Sequence, residues 1–132
     1  MKRTSPYQKQ AAEWVIYGEN DFKAAKENFK LGNFPLVCYL CQQTAEKFLK
    51  AFLISKGVKP PRTHLLQELA DRCQKVNPNF KRIKNYAKKL EEYYIPTRYP
   101  VGVNLSDYTK AEAQSALNLA KIIIDFIKKL FK

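Results

Sequence analysis

FPLVCYLCQQTAEKFLKAFLISK, residues 34–56, is the stretch on which the fold turns. Val37, Leu40, Cys41, Ala45, Phe48, Leu49 and Phe52 recur at the three- and four-residue spacing of one helix face. Leu36, Leu53 and Ile54 widen that face, which predicts a central helix with neighbours on several sides. Asn33 stands where a cap belongs and Gly57 where the helix must stop. A polar stripe crosses the same helix: Tyr39, Gln43, Glu46 and Lys50, with Gln42 and Lys47 beside it. Glu46 precedes Lys50 by four residues, the favourable order for an intrahelical ion pair. The stripe is therefore either a solvated pair or the lining of a cleft.

Working outward, Ser5, Pro6 and Gln8 form a capping box that opens a helix from about residue 6 to 30. Ala11, Trp14, Val15, Gly18, Phe22, Ala25 and Phe29 share its apolar face, and Gly32 ends it. On the other side, Pro60 and Pro61 mark a connector. Thr63 is then expected to cap a short third helix with Leu65, Leu66, Leu69, Ala70, Cys73 and Val76 inward. Asn77 and Pro78 start a fourth, with Phe80, Ile83, Tyr86, Ala87 and Leu90 inward, and Pro96 is expected to stop it. Residues 95–108 form the longest irregular stretch. Thr109 and Glu112 make a second capping box for a last helix running to near Lys132. No segment alternates with the two-residue period of a strand. The expectation is an all-α, antiparallel up-and-down bundle of four to five helices, forming a single domain over residues 1–132.

The charge balance is uneven, with 24 Lys and Arg against 12 Asp and Glu, a net +12. This favours an acidic partner such as nucleic acid, a nucleotide or an acidic protein surface. Lys81, Arg82, Lys84, Lys88 and Lys89 make one face of the fourth helix basic, compatible either with solvation or with tracking a phosphate backbone. Cys38, Cys41 and Cys73 are odd in number and lie among apolar residues, so they read as reduced core thiols, with no metal site among them. Reduced thiols, a polar N-terminus and the lack of a long uninterrupted apolar run point to the cytoplasm and away from a membrane.

No catalytic signature stands out, and nothing asks for a cofactor: no Gly-rich phosphate loop, no zinc motif, no Ser–His–Asp arrangement. His64 is the one histidine. It is either a boundary residue near a helix start or a proton-transfer or phosphate-contact group. Residues 93–100 read YYIPTRYP. Two prolines stiffen this segment and would present Arg98 between Tyr94 and Tyr99. Arginine grips phosphate or carboxylate with two parallel bonds, and tyrosine stacks on bases; the same residues could also pin a loop by packing the cation on the rings.

Three of these segments together resemble one family. Residues 42–51, QQTAEKFLKA, look like the central helix of HEPN domains. Thr63-His64-Leu65-Leu66 resembles the Thr-His-Asp-Leu that opens their next helix, and Thr97-Arg98-Tyr99-Pro100 resembles their Thr-Arg-Tyr-Pro loop. Order and spacing agree over nearly the whole chain. The resemblance implies a helical bundle, often a homodimer, whose relatives accompany a minimal nucleotidyltransferase, in some cases as toxin–antitoxin pairs. Other branches of the family are metal-independent ribonucleases. Those branches carry a histidine after four to six residues beyond an arginine. Here Val103, Asn104 and Leu105 occupy those places after Arg98, Val101 replaces the usual Asp after Pro100, and Leu65 follows His64.

The resemblance, with these departures, implies a non-catalytic subunit that pairs with a small nucleotidyltransferase and contributes to nucleotide or RNA binding. The alternative is a divergent metal-independent ribonuclease toxin. Expected ligand- or partner-binding residues are Arg98, Tyr99, Tyr94, His64, Gln43, Glu46, Lys47 and Lys50, with no catalytic residue assigned. A homodimer is expected from the surplus of aromatic residues around Tyr93, Tyr94 and Tyr99.

Overall fold

The computed structural model describes residues 5–98 and 108–131, with the side chains of residues 94–98 outside that description. Five α-helices account for most of it: α1 (Pro6–Lys30), α2 (Phe34–Ser55), α3 (Leu66–Val76), α4 (Lys84–Arg98) and α5 (Lys110–Leu130). A 3-10 helix, Pro78–Ile83, leads into α4. Among the described residues there is no strand. The helices form an antiparallel bundle, as the periodicity predicts.

The apolar circumference of α2 explains its place. It packs against α1, α3, α4 and α5, and Val37, Cys41, Ala45, Phe48, Leu49 and Phe52 are buried along it. Phe52, Phe80 and Phe126 stack in a chain that joins α2, the 3-10 helix and α5, with ring centroids 4.5 and 5.0 Å apart. The approach of α1 to α2 is set by Gly18. A Cβ there would stand 2.8 Å from the Phe48 ring, so glycine lets the two helices close together.

Local signals fix most helix ends. Ser5 Oγ accepts from Gln8 N at 3.1 Å while Gln8 Oε1 accepts from Ser5 N at 3.2 Å. Thr109 and Glu112 repeat the pattern at 3.1 and 3.2 Å. Gly57 takes φ +72° just beyond α2, a conformation that side-chain-bearing residues avoid.

Four expectations need correction. Thr63 does not cap α3: its hydroxyl accepts from Leu65 N at 3.1 Å, one residue before the helix begins, and Leu65 and Val76 are exposed. The free donor at the start of α3 is satisfied from another helix, where Glu91 Oε1 accepts from Gln67 N at 3.0 Å. Asn33 holds the N-cap position of α2 without a side-chain cap; its amide donates to Asn28 Oδ1 at 2.9 Å. Finally, α4 runs through Pro96 to Arg98. Proline in a final turn forfeits one backbone hydrogen bond but keeps a helical φ, so it need not stop the helix. Arg98 is thus the last residue of α4, not a loop residue.

Candidate functional site

The polar stripe of α2 meets the connector that precedes α3. Gln42, Glu46 and Lys50 stand four residues apart, which puts them in one row along the helix. Gln42 is fully buried, and its amide donates to the backbone carbonyl of His64 at 2.8 Å. Glu46 lies one turn further along and is almost fully buried. Its carboxylate faces His64 Nδ1 at 3.2 and 3.3 Å, and Lys50 Nζ at 2.9 Å. The helix therefore grips His64 twice, by main chain and by ring.

The electrostatics of this cluster are directional. The side chains of Glu46 and Lys50 are only 6% and 14% exposed, whereas that of His64 is 50% exposed. A carboxylate can only accept, so the neutral imidazole that satisfies it carries its proton on Nδ1. Nε2 then keeps its lone pair, and among the described residues no hydrogen bond engages it. A carboxylate-oriented imidazole with one nitrogen open to solvent is an arrangement suited to proton transfer.

Of the residues expected at the site, the structure brings together Glu46, Lys50 and His64, with Gln43 joined through Gln42 Oε1 at 3.0 Å. Lys47 turns to a different task. It forms an ion pair with Asp21 of α1 and ties α1 to α2. Tyr99 lies outside the described residues, as do the side chains of Tyr94 and Arg98, so their position relative to His64 does too.

Two participants are not singled out by sequence reasoning. Gln42 reads as a neighbour of the stripe, although its four-residue spacing from Glu46 is the available signal. Trp14 reads as part of the apolar face of α1. In the structure it is half-buried, with Lys50 Nζ 5.8 Å from its ring centroid. Lys50 thus stands between the Glu46 carboxylate and an indole.

The cysteines are free and buried, away from this chemistry. No helix among the described residues is long and apolar enough to cross a membrane.

Comparison with known proteins places these features in context. The HEPN domain model matches residues 11–130. A protein of Methanocaldococcus jannaschii described as a candidate toxin, MJ1304, is 29% identical over 137 aligned residues, covering 94% of this chain and 90% of that protein. The crystal structure of TT1696 from Thermus thermophilus superposes with a TM-score of 0.83 at 29% identity, over 91% of this chain and 97% of that one. ST0689, an archaeal HEPN homologue, superposes with a TM-score of 0.75 at 29% identity over the full length of both chains.

Proposed function

The chain belongs to the HEPN domain family, and from that membership we propose that it is the toxin of a toxin–antitoxin pair and acts on RNA. The observation that carries the proposal is the Glu46–His64 pair, a solvent-facing imidazole oriented by a nearly buried carboxylate. It supplies from the protein's own side chains the proton transfer that a metal-independent ribonuclease needs. In this reading His64 Nε2 takes the proton of a ribose 2′-hydroxyl. The oxygen attacks the adjacent phosphorus, the bond from phosphorus to the 5′-oxygen breaks, that oxygen takes a proton from water to become a 5′-hydroxyl, and a 2′,3′-cyclic phosphate remains. Arg98 is assigned the phosphate by its resemblance to the family's Thr-Arg-Tyr-Pro segment. The candidate toxin of M. jannaschii, similar over nearly the whole chain, supports the same reading, as does the net charge of +12.

One observation favours a second reading. Val103, Asn104 and Leu105 stand where the ribonuclease branches carry histidine. A chain lacking that residue would serve as a non-catalytic partner of a small nucleotidyltransferase, binding nucleotide or RNA for it. In both readings the chain works as a single domain and as a homodimer.

The deciding experiment is incubation of the purified protein with RNA in the presence of EDTA. The ribonuclease reading expects fragments with 2′,3′-cyclic phosphate ends, lost in His64→Asn. Intact RNA, together with co-purification of a nucleotidyltransferase, would transfer the conclusion to the second reading. Sedimentation at micromolar concentration tests the dimer.

A further inference from the structure

Beside the Glu46–His64 pair a cleft of about 480 Å³ opens between the start of α1 and the connector after α2. Tyr7 and Trp14 contribute rings, Lys50, Lys59 and Arg62 contribute cations, and no carboxylate lines it among the described residues. Tyr7 is 55% exposed. Its ring lies beside the Gly57 turn, where a Cβ on the glycine would be in ordinary van der Waals contact with it, 3.5 Å from Cε2. The cations select an anionic group and the rings select a flat, apolar one. An inorganic phosphate would leave the rings unused. An alkyl chain would leave the cations unused.

We propose that this cleft holds one unpaired nucleobase stacked on Trp14 and Tyr7, with its phosphate on Lys59 and Arg62. A cleft of this size lies within the roughly 300–1,000 Å³ usual for small-ligand sites. A base within a duplex cannot enter, because both its faces are already stacked. The cleft is also wired to the pair already described. Lys50 lines it and bonds Glu46 at 2.9 Å, Glu46 bonds His64, and Arg62 lies two residues before His64 in the chain. Granted the ribonuclease reading, a strand with a base in the cleft would be delivered to His64, which makes the substrate class single-stranded RNA.

Trp14 is the one tryptophan of the chain, so its fluorescence reports the cleft directly. The whole protein is titrated with AMP, inorganic phosphate, a short single-stranded oligoribonucleotide, and the same sequence as a duplex. The single strand is expected to quench saturably, phosphate is not, and the duplex is expected to bind at least about tenfold more weakly. Quenching by AMP as well would extend the ligand to free nucleotides; silence with AMP would restrict it to a strand. Read by anisotropy of a labelled single strand, Trp14→Ala should weaken binding about tenfold or more, and Trp14→Phe should restore most of it. Tyr7→Ala, at an exposed position, provides the same test without risk to the core. Phosphate quenching equal to that of the single strand overturns the proposal. So does affinity that ignores both Trp14→Ala and Tyr7→Ala. RNA that is bound through Trp14 but never cut keeps the cleft and removes the ribonuclease reading. Cleavage indifferent to Trp14→Ala does the reverse.

Discussion

His64 Nδ1 stands 3.2 Å from Oε1 of Glu46, a half-exposed imidazole against a carboxylate that the fold has almost sealed from water. The two residues are 18 apart in sequence and meet because the connector after α2 folds back along that helix. The carboxylate answers to two partners at once, since Lys50 holds its other oxygen at 2.9 Å.

Glu46 should therefore separate charge from shape. Glu46→Gln keeps the side-chain volume but removes the negative charge and turns one accepting oxygen into a donor, so the Nδ1 tautomer is no longer enforced and RNA cleavage should fall by about a hundredfold or more if the imidazole is a general base. Glu46→Ala also leaves the mostly buried Lys50 without its acceptor and should cost about 1–3 kcal/mol of stability. Urea unfolding beside a cleavage assay reads both. Equal cleavage by wild type and Glu46→Gln would remove the carboxylate from the mechanism.

Gln42 provides a control on positioning. It reaches the His64 carbonyl at 2.8 Å and also accepts from Gln43 Nε2. Gln42→Leu preserves burial and packing while releasing the connector. A stability loss of about 1–2 kcal/mol is expected, since one buried network loses a member. In NMR spectra the His64 ring resonances should broaden or shift while those of the α2–α5 core stay in place. Unchanged His64 resonances would mean that the ring is held by Glu46 alone.

Gly18 carries a prediction about the bundle and not the site. An alanine Cβ would fall 2.8 Å from Phe48, which is fully buried and cannot swing aside into solvent. Gly18→Ala should destabilise the protein by about 1–3 kcal/mol despite the better helix propensity of alanine. Gly18→Ala combined with Phe48→Leu should recover part of that loss. Simple additivity of the two changes would show that the contact does not limit α1–α2 packing.

These positions also show what the sequence makes readable. The helices follow from period and from caps that are local: Ser5 with Gln8 and Thr109 with Glu112 close rings over three residues, and both are present in the structure. Where the cap is not local, the sequence misleads. The donor at the start of α3 finds Glu91, 24 residues away, and no short-range rule points there. The site divides in the same way. The Glu46–Lys50 pair is legible as a spacing of four on one helix, whereas Gln42 reads only as a neighbour of the stripe. That Glu46 meets His64, or that Lys47 turns away to pair with Asp21, depends on how separate segments pack. Trp14 reads as core because its spacing fits the buried face of α1, and only the path of the connector turns it into the wall of a cleft.

The buried thiols make stability depend on pH. Burial, and then the nearby Glu112 charge, push the Cys38 thiol from an ordinary 9.0 up to about 12. Cys41 and Cys73 are raised by burial as well, and Cys73 Sγ donates to the Leu49 carbonyl at 3.5 Å, a bond that only the protonated thiol can make. Each thiol thus holds its proton more tightly folded than unfolded. Below the unfolded value of about 9 both states are protonated and the stabilisation is fully present. As pH rises toward the folded value the unfolded chain loses protons that the native chain retains, so native stability falls. The slope is about 1.4 kcal/mol per pH unit for each such group. Denaturant midpoints should therefore be flat from about pH 7 to pH 8.5 and drop steadily above about pH 9. Cys38→Ala should lower stability near neutrality but make the alkaline slope shallower by one group's share, while the titration of surface lysines cancels in the comparison. Thiol-reactive dye at about pH 8 should label no cysteine in the native protein and all three, Cys38, Cys41 and Cys73, after unfolding. An alkaline slope identical in wild type and Cys38→Ala would mean that this thiol is open to solvent in solution, and the tight seam between α2 and its neighbours would have to be redrawn at that position.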